Sequence, residues 1–362
     1  MAVSRRIFLS LGAGAAAAWS SDKGVVFPSE MERYPDPATE FPLFRLTNPT
    51  HESWMTAYYN RALSRHGHFL VYANDRSGSI QAYSMDLKTG QSHQLTNEEK
   101  LSLAALVLMP DEKSVCCVTG GSLQIVNLSN LRSRTLYEVI DGYEPGDGFS
   151  VSDDGLYGFL VERSAERHRL RLIPMRGGAP TTVVEANEPL SDPIPRPKRA
   201  GVMYRRGGDV WLVNFDGAQN RKLRLAAGGT GPANWSPDGR QVLYLNFPEE
   251  KGQLNNLREF TPDTNEDRPI ARTSQFVNFG QNSDGSVIVG ASGSKASPYV
   301  LLLVRSVKRE LTLCEHKASN PARVAPVFSP DSQRVFFQSD RHGKNAIYAM
   351  NVERLVSETD AE

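Results

Sequence analysis

The chain has 362 residues, with 41 Lys and Arg balanced by 41 Asp and Glu, and a formal net charge of zero. Balanced charge without a basic block beyond the first residues excludes a nucleic-acid partner held through its phosphates. An apolar content of 40% fits a globular protein, and the length allows one large domain or two.

The chain opens on Ser4-Arg5-Arg6-Ile7-Phe8-Leu9, runs through a short apolar stretch and reaches Ala15 to Ala18. Paired arginines ahead of a short hydrophobic region with an Ala-x-Ala end form the pattern of a twin-arginine export signal over residues 1–18. The run is too short for a membrane span, so the mature protein is expected in the periplasm or outside the cell. Residues 19–40, rich in Pro and charge, predict a linker or surface-hugging extension, and 356–362 a polar tail, with the residues from Glu353 onward frayed.

Between these, residues 41–355 repeat one plan. Gly67 to Asn74, Ile80 to Asp86 and Gln94-Leu95-Thr96 give a turn, an apolar strand, a charged turn, an alternating strand, a tight turn and a short outer strand. Turn signals recur at His66-Gly67, Asp111-Glu112, Asp154-Gly155, Lys198-Arg199, Asp238-Gly239, Asp284-Gly285 and Asp331-Ser332. Their spacing of roughly 40 to 47 residues is that of four short strands. Such a unit cannot bury both faces alone and must stack on copies of itself around an axis. The fold predicted is therefore an all-β propeller of seven four-stranded blades; loose alternation in 151–186 and 195–226 leaves six as the alternative. The last unit stops after Ile347-Tyr348-Ala349-Met350, one strand short, and Phe44-Arg45-Leu46-Thr47 is expected to complete it and close the ring.

In a propeller the innermost strands line the channel, so the positions ahead of each turn are the place for a site. They hold Tyr58-Tyr59-Asn60-Arg61, Ala104-Ala105-Leu106, Gly146-Asp147-Gly148, Asp192-Pro193-Ile194-Pro195-Arg196, Pro232-Ala233-Asn234-Trp235, Val277-Asn278-Phe279 and Asn320-Pro321-Ala322-Arg323. Arginines, amides and aromatic rings suit a polar, acidic ligand, since a planar guanidinium matches a carboxylate. Histidines stand at 51, 66, 68, 93, 168, 316 and 342 without metal-ligand spacing. They are expected at the surface, with His51 held in reserve as an acid or base at the channel mouth. Cys116, Cys117 and Cys314 are expected as small core residues. No Gly-x-Ser-x-Gly elbow, phosphate-binding glycine loop or dinucleotide fingerprint is present, which sets aside α/β hydrolase, nucleotide-hydrolysing and hydride-transfer chemistry.

Phe44-Arg45-Leu46-Thr47, the unit Tyr83 to Thr96, Asp192 to Pro197, and the run from Phe328-Ser329-Pro330-Asp331 through Phe336 to Gly343 with Ala346-Ile347-Tyr348 resemble oligogalacturonate lyases. The repeats are more broadly similar to TolB-type propellers. The resemblance spans about residue 41 to 351 and implies a pectin-degrading lyase that splits short oligogalacturonides by β-elimination. In that family a manganese-type ion sits on the uronate carboxylate and a basic residue removes the C5 proton. The family's metal-binding Gln and histidines fall here on Asn320, Arg323, Ala325 and Pro232, and further family histidines on Asp192 and Arg205. From those losses the expectation is a protein without a cofactor, with no metal ligands and no catalytic residue assigned. Asn320, Arg323, Arg205, Arg206, Arg196 and Trp235 are then expected to bind a small acidic oligosaccharide. The alternative is a non-catalytic TolB-like propeller binding a protein or cell-envelope component on one rim.

Overall fold

The structure, a computed structural model, describes residues 23–140 and 142–357; the expected export signal lies outside them. It is an all-β propeller in which, among the described residues, 30 short strands form six sheets. The first holds Ser53–Trp54, Phe69–Asn74, Gln81–Asp86 and Ser92–Gln94, and the second Val107–Leu108, Ser114–Thr119, Ser122–Asn127 and Ser133–Glu138. The fourth runs from Gly229–Trp235 through Val242–Phe247 and Asn256–Thr261 to Glu266–Arg272. The fifth runs from Phe276–Gln281 through Val287–Ser292 and Tyr299–Val304 to Arg309–Glu315.

The third sheet departs from the expected separate four-stranded units. It has eight strands, because two antiparallel runs meet at their inner strands, Glu144–Val151 and Leu190–Pro195, through one parallel bridge, Asp147 to Ser191. These are the two stretches whose alternation is loose. Both inner strands bulge where they face each other, and the bulges bring the two backbones into pairing distance.

The sixth sheet closes the ring as expected. Pro42–Arg45 pairs with Ala346–Asn351, setting Phe44 against Ala349 and Arg45 against Tyr348. Thr47 Oγ1 accepts from the Ile347 N–H at 3.0 Å and extends the join. Residues 23–40 add two further outer strands, Val26–Phe27 on the first sheet and Glu32–Pro35 on the sixth. At the other end Glu353–Ser357 forms a single helical turn where a frayed tail was expected, held by Leu355 and Val356 N–H bonds to the Val352 carbonyl.

The turn chemistry is local. In Ser236-Pro237-Asp238-Gly239, Asp238 accepts from Ser236 Oγ at 2.6 Å and the Arg240 N–H at 3.0 Å, while Ser236 Oγ accepts from the Gln241 N–H at 3.0 Å. Ser152-Asp153-Asp154 and Ser329-Pro330-Asp331 repeat the device. Apolar faces of adjacent sheets then interdigitate: Val289 and Leu302 pack with Phe337 and Tyr348, and Tyr72 and Tyr83 with Phe336 and Ile347. Each such side chain contributes about 1.5–3 kcal/mol by leaving water. The three cysteines are free and buried within this packing.

Candidate functional site in the central channel

Four successive inner strands break register near their N-terminal ends: between Pro145 and Phe149, Ser191 and Ile194, Thr230 and Ala233, and Phe276 and Asn278. Residue type explains three of them. Pro193 and Pro232 carry no N–H for the ladder, and Gly146-Asp147-Gly148 supplies backbone freedom. Gly148 has φ 142°, and a Cβ there would stand 2.5 Å from Pro193 Cδ. Asp192 itself adopts φ 46°, a left-handed conformation that Asp tolerates better than most residues. The bulges take Asp147 and Asp192 out of the antiparallel pairing at one end of the channel.

The segment Met55–Leu63 crosses the channel between the first two strands of the first sheet. Tyr58 donates to the Asp192 carboxylate at 3.4 Å and lies 3.2 Å from the Ala233 carbonyl, while Asn60 Nδ2 donates to the Phe149 carbonyl at 2.8 Å and the Leu106 carbonyl at 3.4 Å. One short loop is thus fastened to inner strands of three sheets. Arg205 completes the group: its Nε lies 3.3 Å from Asp192 Oδ2, Nη1 donates to the Thr230 carbonyl at 3.3 Å and Nη2 to that of Gly231. Burial raises the Asp192 pKa, opposed by the Arg205 charge and the Tyr58 hydrogen bond and assisted by Asp147. Burial also pushes both phenols up, Tyr58 with the Asp192 charge adding to it and Tyr59 with Asp192, Tyr58 and Asp147.

The six expected ligand-binding residues divide sharply. Arg196 is buried, forks onto Asp263 at 3.1 and 2.9 Å, donates to the Gly239 carbonyl at 2.7 Å and lies over the Trp235 ring at 5.0 Å. Trp235 is 3% exposed and donates to the Ile194 carbonyl. Arg206 pairs with Glu188 at 2.9 Å and covers Trp211, on the strand face opposite Arg205. Arg323 is exposed and enters no ion pair among the described residues. It ends the 3-10 turn Pro321–Arg323, which Asn320 caps by accepting from the Ala322 N–H at 3.1 Å. Asn278 and Gln338 hold that turn through the Ala322 and Arg323 carbonyls at 3.2 and 2.7 Å. Asp147, Asp192, Tyr58 and Tyr59 are the polar residues that the selection of arginines passed over. An Asp before a Pro inside a strand, flanked elsewhere by Gly-x-Gly, was the available signal.

One histidine differs from expectation. His316 is fully buried, its Nε2 2.9 Å from the Ser292 carbonyl and its Nδ1 accepting from the Ala318 N–H at 3.1 Å, which fixes a neutral ring. Burial lowers its pKa. His51 sits 3.7 Å from Asp75, which belongs to the hairpin turn between the second and third strands of the first sheet.

The chain is 24% identical over 383 residues to an oligogalacturonide lyase of Pectobacterium atrosepticum, covering 91% of this chain and 98% of the relative. A solved structure of an oligogalacturonate lyase in complex with manganese superposes with a TM-score of 0.85 at 23% identity, covering 91% of this chain and 98% of the other. A TolB protein of Nitratidesulfovibrio vulgaris is 29% identical over 143 residues, 37% of this chain and 29% of TolB. No protein-family model matches. The likeness to oligogalacturonate lyases therefore runs through nearly the whole chain, and that to TolB through part of the repeat.

These findings correct the expectation of a protein without a cofactor, since the similar solved lyase is a manganese complex. The expectation rested on missing imidazoles, yet a hard divalent ion also takes carboxylate, amide and water oxygens. As placed, the residues here do not fit such an ion ready-made. Among the described residues no three His, Cys, Asp or Glu side chains come together, and Asp192 is already tied to Arg205 and Tyr58.

Proposed function

We propose that this chain is an exported, oligogalacturonate lyase-like propeller that takes short acidic pectic oligosaccharides at the N-terminal ends of its inner strands. The observation that carries the reading is the end-to-end likeness to an oligogalacturonide lyase, which includes the channel as well as the repeats. Counting the eight-stranded sheet as two blades joined at their inner strands gives a ring of seven. The twin-arginine pattern at Arg5-Arg6 supports export to the periplasm or beyond.

Within the channel, Arg323 is the residue proposed to meet the substrate carboxylate. It is exposed, forms no ion pair among the described residues although its charge acts on Asp340, and sits on a turn fixed by Asn320, Asn278 and Gln338. Asn320 takes part as the cap of that turn. Arg205 contributes through Asp192, and Arg196 and Trp235 through the framework beneath.

The test is to incubate the purified full chain with saturated and unsaturated digalacturonate, with and without added Mn²⁺, following the conjugated product in the ultraviolet and binding by calorimetry. Product formation supports a lyase. Binding without product under both conditions supports a sugar-binding protein that has lost elimination, and neither binding nor product sinks the proposal.

A further inference from the structure

The channel has a second end. Beyond the Met55–Leu63 crossing, the C-terminal ends of the inner strands surround a cavity of about 480 Å³. Leu108, Ser152, Asn234, Gln281 and Phe328 stand on its walls, and Tyr58 and Tyr59 form its floor. The floor is anchored rather than draped: Tyr58 is bonded to Asp192 and Ala233, and Asn60 to Phe149 and Leu106. The loop therefore separates this cavity from the Asp192–Arg205 end.

The lining carries uncommitted amide chemistry, though not at every amide. Gln281 Nε2 donates to the Trp235 carbonyl and its Oε1 is shut in beside Gly285, so its amide is not open to the cavity. Asn234 turns its Oδ1 to the Trp235 N–H at 2.9 Å, which directs Nδ2 the other way. Asn60 spends Nδ2 on backbone carbonyls and carries Oδ1 opposite. Charge is balanced: Arg61, 3.6 Å from Glu112, and Asp153 stand on the same wall with opposite sign.

We propose that this cavity is a second binding site, for a neutral, hydroxyl-rich molecule of one or two sugar rings. Amides present donor and acceptor side by side, which matches neighbouring hydroxyl groups, and phenol rings take the apolar face of a pyranose. An anionic ligand would find Arg61 already matched by Glu112, and a cationic one would find Asp153 already facing the charges of Lys198 and Arg61. The volume lies within the range of small-molecule sites.

The site stands apart from the proposed function, and so does its test. Calorimetric titration of the full chain with cellobiose, as a neutral two-ring probe, should give one binding event. Asn234→Leu should weaken it at least tenfold, Val327→Phe, which fills the cavity from another wall, should abolish it, and Arg323→Ala should leave it unchanged. Thermal melts matched to the parent show that each variant is folded, and the two cavity variants fail independently of one another. No heat with cellobiose, glucose or galactose at about 10 mM, a concentration that reveals even weak binding, overturns the proposal. So does binding of a zwitterion such as glycine in their place, or loss of cellobiose binding in Arg323→Ala.

Discussion

Arg196, Arg205, Arg206 and Arg323 share one side-chain chemistry, and their partners give them different work. Arg323 is exposed without an ion pair among the described residues, so Arg323→Ala should weaken digalacturonate binding at least tenfold and leave the melting temperature unchanged. Arg196→Ala removes a fork onto Asp263 and the cover of Trp235, and should cost about 2–4 kcal/mol in a denaturant titration with little direct effect on affinity. Asp192 adds a pH test. Its folded pKa is raised from 3.8, so protonation favours the folded state. The stability it contributes is complete below about 3.8, its value in the unfolded chain, and is lost as pH rises through the folded value. Asp192→Asn should flatten that decline, read from urea midpoints across the acid range. If the parent and Asp192→Asn midpoints fall in parallel, the carboxyl is not the group responsible. The sequence displays each arginine but not its partner. Asp263 lies 67 residues beyond Arg196, and only the ring brings them together.

At the scale of elements, the residues ahead of the first full sheet act as a strap. Val26–Phe27 pairs with Ser92–Gln94, Glu32–Pro35 pairs with Pro42–Arg45, and Glu30 between them binds Arg76 at 2.8 Å. Arg76 lies over Phe27 and Tyr83 at 5.0 and 5.4 Å and its side chain is only 4% exposed. A partly buried pair of this kind couples more strongly than a surface one. Glu30→Ala and Arg76→Ala should each destabilise by about 1–3 kcal/mol, with the double variant losing clearly less than the sum in a double-mutant cycle. Additive losses would mean that the strap is held by its strand pairing alone. The Pro- and charge-rich composition of this stretch signals an extension. It does not signal strands, because two-residue and four-residue pairings are too short for periodicity to register. The inner-strand bulges were legible in part, since Pro193, Pro232 and Gly146-Asp147-Gly148 interrupt strands in plain view. Their convergence on a loop from the first sheet was not.

At the scale of the whole molecule, the turn spacing told the architecture because each turn is built from neighbours: Ser, Pro and Asp satisfy one another within five residues. Ring closure was legible for a related reason, a missing fourth strand with a matching segment at the other end. The division of the channel was not, because it depends on Tyr58 and Asn60 reaching strands far along the chain. Closure carries the last prediction. Ala346–Asn351 pairs on one side with Arg334–Ser339 and on the other with Pro42–Arg45, and Ser53 and Asn345 reinforce the join through the Asn345 carbonyl at 2.8 Å and Asn345 Nδ2 to the Ser53 carbonyl at 2.5 Å. A chain beginning at residue 48 would leave Ala346–Asn351 as an open edge beside the apolar surface that Leu43 and Leu46 cover in the intact chain. Relative to a chain beginning at residue 23, it should lose a single cooperative melt and elute as oligomers in size-exclusion chromatography, because an unpaired strand recruits another chain. A monomeric, cooperatively melting product would show instead that the other sheets hold the ring without the join, since stacked blades share apolar faces all the way round.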